Sequence, residues 1–129
     1  MDNKNLSLSG LKVLVVDDEE DALALTQLML ELCDAEVITS PTAAEGLEQV
    51  QMQRPNVIIS DIRMPHMDGY QFIQAVRKLP LHKGKCTPAV AFTTFTRAQD
   101  QARAFDVGFQ GYLSKLVSFD VLIETIMAL

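Results

Sequence analysis

Short apolar runs that end in polar residues recur along this chain, and stretches with helical periodicity fill the gaps between them. The clearest run is Val57-Ile58-Ile59-Ser60-Asp61. Leu11-Lys12-Val13-Leu14-Val15-Val16, Ala35 to Thr39, Pro88-Ala89-Val90-Ala91-Phe92-Thr93 and Gln110 to Leu113 are of the same kind. Val- and Ile-rich runs of this length read as strands covered on both faces, because β-branched side chains suit a pleated, buried surface. Between them, apolar residues return at helical spacing: Leu25, Leu28, Met29 and Leu32, then Ala43, Leu47 and Val50, then Phe72, Ile73, Val76 and Leu79. A thin face of Ala98, Ala102 and Phe105 and a fuller one of Phe119, Leu122, Ile123, Ile126 and Met127 complete the series. Strand–helix alternation with short connections implies a parallel sheet, right-handed crossovers and helices on both faces. The chain is therefore predicted to be a doubly wound α/β domain of five strands and five helices.

Local signals punctuate that pattern. Ser40 is read as the N-cap of the second helix with Pro41 in its first turn, and Pro55 lies beyond its end. Pro65 stops regular structure after Asp61, and Asp68-Gly69 marks a turn before the third helix. Pro80 to Thr87 reads as a surface loop. Thr96-Arg97-Ala98-Gln99 has the form of a capping box, Gly108 marks the end of that fourth helix, and Ser118 caps the fifth. Residues 1–10, polar and small, read as a flexible leader, which leaves residues 11–129 as one domain, a size at which a single core buries roughly two-thirds of the unfolded surface.

A net charge of -6 argues against a polyanion-binding surface, so direct nucleic-acid binding is not expected; the same charge is compatible with an acidic pocket holding a cation. Cys33 and Cys86 lack metal-ligand spacing and are read as reduced, buried thiols. No apolar run approaches the ~20 residues needed to span a bilayer, so a cytoplasmic location without membrane contact is expected. His66 and His82 fall in loops and read as surface residues, and the six methionines as core filler.

The chemistry gathers at the strand ends. Asp17 and Asp18 follow the first strand, Asp61 the third, Thr93 the fourth and Lys115 the fifth. In a parallel sheet these ends share one edge, where ligands of open α/β sheets sit. Packed carboxylates repel unless a cation neutralises them. Oxygen ligands select a hard ion, and Mg²⁺ usually takes one or two carboxylates while keeping waters and a phosphate oxygen. With Lys115 as a point charge and Thr93 as a hydroxyl donor, the set suits a phosphoryl group on or near Asp61. The acids Glu19 to Asp21 have a simpler explanation, the favourable field at a helix N-terminus.

On Val15-Val16-Asp17-Asp18-Glu19, Ser60-Asp61-Ile62-Arg63-Met64-Pro65 with Met67-Asp68-Gly69, Phe92-Thr93 and Tyr112-Leu113-Ser114-Lys115, the chain resembles the receiver domain of two-component response regulators over essentially its whole length. The resemblance implies a flavodoxin-like (βα)5 sandwich with strand order 2-1-3-4-5. It implies that Asp61 takes a phosphoryl group from a phosphohistidine of a sensor histidine kinase or histidine phosphotransfer domain. Asp17 and Asp18 would hold Mg²⁺ with Asp61 and the backbone carbonyl of Arg63. Thr93 and Lys115 would bond phosphoryl oxygens, and Tyr112 would change rotamer as the face made by the fourth helix, fifth strand and fifth helix rearranges. That face is the expected site of an output partner or dimer contact, with no enzymatic turnover beyond self-phosphorylation and slow self-dephosphorylation. The lead-in Leu8-Ser9-Gly10-Leu11 and the stretch Gly108-Phe109-Gln110-Gly111 also resemble receivers attached to hybrid histidine kinases. No output domain is expected within the chain.

Three positions depart from the family. Leu116 stands where a cis proline usually follows the lysine. A cis bond before leucine costs ~3 kcal/mol, so a trans bond and an altered loop around Lys115 are expected. Thr94 replaces a small residue beside the pocket. Arg63 and Phe95 flank the path of a hydrolytic water, which predicts slow loss of the phosphoryl group and faster loss in Arg63→Ala with Phe95→Ala. Blander roles stand beside the functional ones: Asp17 as a helix cap, Thr93 as a strand former, Tyr112 as packing, Lys115 as a surface lysine. Leu116 and Thr94 also leave room for an alternative, a receiver-like interaction module that is poorly phosphorylated. A phosphohydrolase with an aspartyl nucleophile would want a second acid two residues after Asp61, where Arg63 stands.

Overall fold

The computed structural model describes residues 6–94 and 97–129. Strands β1 (Lys12–Val16), β2 (Glu36–Ser40), β3 (Val57–Ser60), β4 (Ala89–Thr93) and β5 (Gly111–Ser114) alternate with helices α1 (Glu20–Leu32), α2 (Ala43–Gln53), α3 (Gly69–Arg77), α4 (Ala98–Val107) and α5 (Phe119–Met127). Every neighbouring pair is parallel and the order is β2-β1-β3-β4-β5, the doubly wound arrangement expected. A 3-10 turn, Leu81–Lys83, lies within the segment read as a loop.

The period-2 alternation of each strand divides the interior into two half-cores. Val13, Val15, Val57, Ile59, Val90 and Phe92 pack with Leu30 of α1 and Leu122, Ile123 and Ile126 of α5. Leu14, Val16, Ile58, Ala89 and Ala91 point the other way, onto Val50 of α2, Phe72, Ile73 and Val76 of α3 and Ala104 of α4. At about 1.5–3 kcal/mol for each fully buried aliphatic or aromatic side chain, these two layers supply the main drive to fold.

Several local expectations are corrected. Ser40 is not a helix cap. It continues β2, pairs with Val16 and accepts the Asp17 N–H at 3.2 Å, so Thr42 takes over as the N-cap and receives the Glu45 N–H at 3.1 Å. Of the leader expected over residues 1–10, residues 1–5 lie outside the described residues; beyond them Leu8 is fully buried, and its N–H donates to the Cys33 carbonyl at 2.6 Å. The apolar stripe read on α1 faces outward, with Leu25, Leu28 and Leu32 at 50%, 53% and 69% exposure, while Thr26 and Leu30 are buried. The rotation of α1 is set at its end, where the Ala35 N–H reaches the Leu30 carbonyl at 3.2 Å and the Cys33 carbonyl holds Leu8. On α4, Ala98, Ala102 and Phe105 are likewise exposed, and Asp100 and Ala104 are buried instead. Thr96, the expected cap of α4, lies outside the described residues; Arg97 flanks the helix, with no side-chain cap bond of its own. Ser118 flanks α5 as expected, and its side chain makes no cap bond either. Cys33 is half-buried and Cys86 exposed, both free, so neither is the buried thiol expected.

Gly108 ends α4 as expected, with φ 121°. It is also a space requirement, because a Cβ there would sit 2.9 Å from Nε of Arg77. Arg77 ties three segments together. Its Nε and Nη2 donate to the Gly108 carbonyl at 3.1 and 2.7 Å, and its Nη1 donates to the Lys85 and Thr87 carbonyls at 2.8 and 2.7 Å. Five donors in a planar fork make arginine the residue for such a junction.

Candidate functional site

At the C-terminal edge of the sheet, β1 and β3 deliver their acids side by side. The Asp61 N–H donates to the Val16 carbonyl at 2.9 Å, continuing the β1–β3 ladder one step and fixing where the carboxylate stands. Asp61 Oδ1 accepts the Ile62 N–H at 2.6 Å. The turn that follows closes tightly, because the Gly69 N–H bonds the Ile62 carbonyl at 2.7 Å and a Cβ on Gly69 would collide with the Asp61 carbonyl. Asp68 then caps α3 reciprocally with Gln71. A carbonyl pressed against the start of a helix demands glycine, so the Asp68-Gly69 turn signal is a packing requirement of the site itself.

One carboxylate oxygen each from Asp17, Asp18 and Asp61 lie within 4.8 Å of one another. Asp17 is buried and its Oδ1 accepts the Glu19 N–H at 3.0 Å. Lys115 enters from β5 and bridges two of the acids, with Nζ 2.7 Å from Asp17 Oδ2 and 2.8 Å from Asp61 Oδ2. Burial pushes the Asp17 carboxyl above the usual carboxylate range, although Lys115 and the Glu19 N–H work against it. For Lys115, burial pulls downward, but bonds to Asp17 and Asp61 outweigh it and hold the ammonium above its ordinary value. Three carboxylates thus gather around one ammonium that pairs with two of them, and the excess negative charge suits a hard divalent cation with oxygen ligands.

Lys115 reaches the acids even though Leu116 follows it. The described chain contains no cis peptide bond, as expected at Leu116. The Lys115 N–H donates to the Thr93 carbonyl at 2.9 Å, and the turn is held by Leu116 N–H to Ser114 Oγ at 3.0 Å and Val117 N–H to the Ser114 carbonyl at 3.1 Å. Ser114 is a residue that sequence reasoning missed; a hydroxyl two residues before an exposed leucine was the available signal. Leu116 itself is 90% exposed. With leucine in place of proline, Lys115 contacts both Asp17 and Asp61.

Thr93 closes β4, 1% exposed, and Thr94 after it is exposed. Tyr112 in β5 is half-buried, packed against the α2–α3–α4 half-core, and burial, with smaller contributions led by Tyr70, pushes its hydroxyl up to about 12. Arg63 is exposed beside the acid cluster, while Phe95 lies outside the described residues. His66 and His82 are exposed, as read from their loops. No helix among the described residues is long and apolar enough to cross a membrane.

A doubly wound five-stranded domain with an acid triad and a bridging lysine at its strand ends is the architecture of a signalling receiver module. A family model described as the response regulator receiver domain matches residues 13–127, and the chain belongs to that family. It is 40% identical over 111 residues to an uncharacterized 14.6 kDa protein from Leptolyngbya boryana, covering 86% of this chain and 83% of that one. It is 31% identical to Protein PilG of Pseudomonas aeruginosa, covering 92% and 87% of the two chains. Among solved structures, the chemotaxis protein CheY4 of Vibrio cholerae superposes with a TM-score of 0.84 at 34% identity, covering 92% and 97%. The chain is accordingly a receiver domain of the two-component type, a phosphoacceptor signalling module.

Proposed function

We propose that Asp61 is the phosphoacceptor and that the group arrives from a phosphohistidine on a sensor histidine kinase or histidine phosphotransfer domain. The observation that carries this is the single Lys115 ammonium shared between Asp17 and Asp61, at 2.7 and 2.8 Å. It leaves one Asp61 oxygen tied to a backbone N–H and the other paired with a cation that can follow the charge onto a phosphoryl oxygen. In the transfer, an Asp61 oxygen forms the bond to phosphorus, the phosphorus–nitrogen bond breaks, and the imidazole leaves with its electron pair and takes up a proton. Asp17, Asp18 and the Arg63 carbonyl are the groups that would hold Mg²⁺ with Asp61, and a bound Mg²⁺ would neutralise charge building on the phosphoryl oxygens. Thr93 and Lys115 supply the remaining donors, and Tyr112 is the residue through which the change is read at the α4–β5–α5 face.

The outward leucines of α1 bear on how a donor approaches. Leu25 forms part of a small hollow of about 100 Å³ together with Lys115, Phe92 and Phe119, so apolar surface continues from the lysine onto the helix. That continuity favours a protein donor seated partly on α1, alongside an output partner at α4–β5–α5. Incubation with acetyl phosphate and Mg²⁺ followed by intact-mass measurement tests the central assignment. A gain of one phosphoryl group that disappears in Asp61→Asn supports it; an unchanged gain in Asp61→Asn, or no gain in the natural chain, overturns it.

A further inference from the structure

Beside the acid cluster, a second hollow of about 320 Å³ opens between the β3–α3 loop and α4. Three guanidiniums, those of Arg63, Arg97 and Arg103, line it together with Asp68, Tyr70 and Asp100. For a chain of net charge -6 this is an unusual concentration of cations. Arg97, which flanks α4, and Asp100 and Arg103 on it form one wall of this basin.

That wall is held in place before any ligand arrives. Asp100 is buried and accepts Arg97 Nε at 2.9 Å and Nη2 at 3.3 Å, which fixes the plane of that guanidinium. The Tyr70 hydroxyl donates to the Asp100 carbonyl at 3.2 Å, which fixes the ring. Arg103 lies over that ring, its guanidinium carbon 4.2 Å from the centroid. A cation stacked on an aromatic face keeps its in-plane donors pointed outward, the geometry that takes a carboxylate in a fork. Arg97 matches the Asp100 charge and Asp68 keeps its own while capping α3, so Arg103, stacked on the Tyr70 ring, is the cation the wall presents to a carboxylate.

We propose that this basin is a docking site for an acidic segment of a partner protein, with a glutamate or aspartate side chain seated against Arg103. Three observations select that occupant. The hollow has room for one or two side chains, given ~30 Å³ for each water displaced. Met64 and Ile62 line it beside the charged groups, which suits an aliphatic stem carrying a carboxylate and not a bare phosphate. Its two acids, and the negative charge of the chain as a whole, disfavour the dense phosphate array of a nucleic acid. The proposal does not depend on the role assigned to Asp61.

Fluorescence anisotropy with the full chain and a labelled hexaglutamate peptide tests it. Binding that weakens as salt is raised, and that falls about tenfold in Arg103→Gln for the loss of one charge-assisted pair, is the expected result. Lys83→Gln, a charge lost elsewhere on the surface, should leave the affinity unchanged, and unaltered circular dichroism of Arg103→Gln shows that the fold persists. Equal affinity of the natural chain and Arg103→Gln, absence of binding, or equal binding of labelled hexaglutamine would overturn the proposal. Single-stranded DNA binding as tightly with the same dependence on Arg103 would replace the acidic protein segment with a general polyanion and equally overturn it.

Discussion

The backbone N–H of Leu116 donates to the hydroxyl of Ser114 at 3.0 Å, a bond that a proline at position 116 could not make. The turn after β5 is thereby closed by a side chain where receivers usually rely on an imino acid. Both Ser114→Ala and Leu116→Pro should destabilise the chain, each by about 1 kcal/mol, the usual net worth of one such bond. Urea unfolding checks this: the midpoint should fall with little change in slope. An unchanged midpoint in Ser114→Ala would show that the bond adds nothing to the turn.

Metal should act on stability with a definite sign in pH. The Asp17 carboxyl is held above its ordinary value, chiefly by burial, so its ionised form is disfavoured in the folded chain. A group raised in this way contributes stability at low pH that is lost as pH rises through its folded value. Near neutrality, then, the metal-free cluster carries a cost that Mg²⁺ offsets. Thermal melts should show Mg²⁺ raising Tm at pH ~7, with a gain of about 1.4 kcal/mol at ten times its Kd. The gain should fade once the carboxyls protonate. Lys115→Met should enlarge the Mg²⁺ effect, since it removes the cation that shares the site.

Exposed leucines on α1 should matter for partners and not for folding. Leu25→Asp and Leu28→Asp each replace a side chain about half exposed, 50% and 53% in turn. Stability should change by no more than about 0.5 kcal/mol. Phosphotransfer from a donor protein should slow, while labelling by acetyl phosphate keeps its rate. Equal slowing with both donors would mean that the substitutions disturb the site itself.

The two tyrosines give a spectroscopic handle on the α3–β5 side of the molecule. With Tyr70 and Tyr112 as the only tyrosines and no tryptophan, phenolate absorbance reports on these two groups alone. Burial raises both, Tyr112 to about 12. A phenol raised above its unfolded value near 10 lends stability below that pH, and the contribution is lost as pH rises towards 12. Alkaline titration of the folded chain should show no ionisation of Tyr112 near pH ~10, and Tyr112→Phe should remove the later step.

Legibility in the sequence followed physical simplicity. Strands such as Val57–Ser60 were readable because they are buried on both faces, where composition alone decides. Asp17, Asp18, Asp61 and Lys115 were readable because parallel topology carries distant residues to one edge. The face of α1 was not. Leu23, Thr26, Leu30 and Cys33 form a second set at helical spacing, and the competing leucine set is the more hydrophobic. Bonds at Leu8 and Ala35, distant from most of the helix, decide between them. Ser40 fooled the eye for a similar reason, since a good cap residue is equally able to finish a strand. The basin at Arg103 was invisible because it depends on the Arg97–Asp100 pair and on a ring supplied by another helix.

Leu8, anchored to the carbonyl of Cys33, bears on how the domain can be handled as a component. It enters at the rim where α1 finishes, and α5 runs back towards that same rim to finish at Met127. Fluorophores or surface tethers placed at Ser7 or Leu129 would therefore project from the pole opposite the acid triad. Such attachments should leave the approach to Asp61 clear, whereas a circular permutant opened between Lys115 and Ser118 would put its new ends across it.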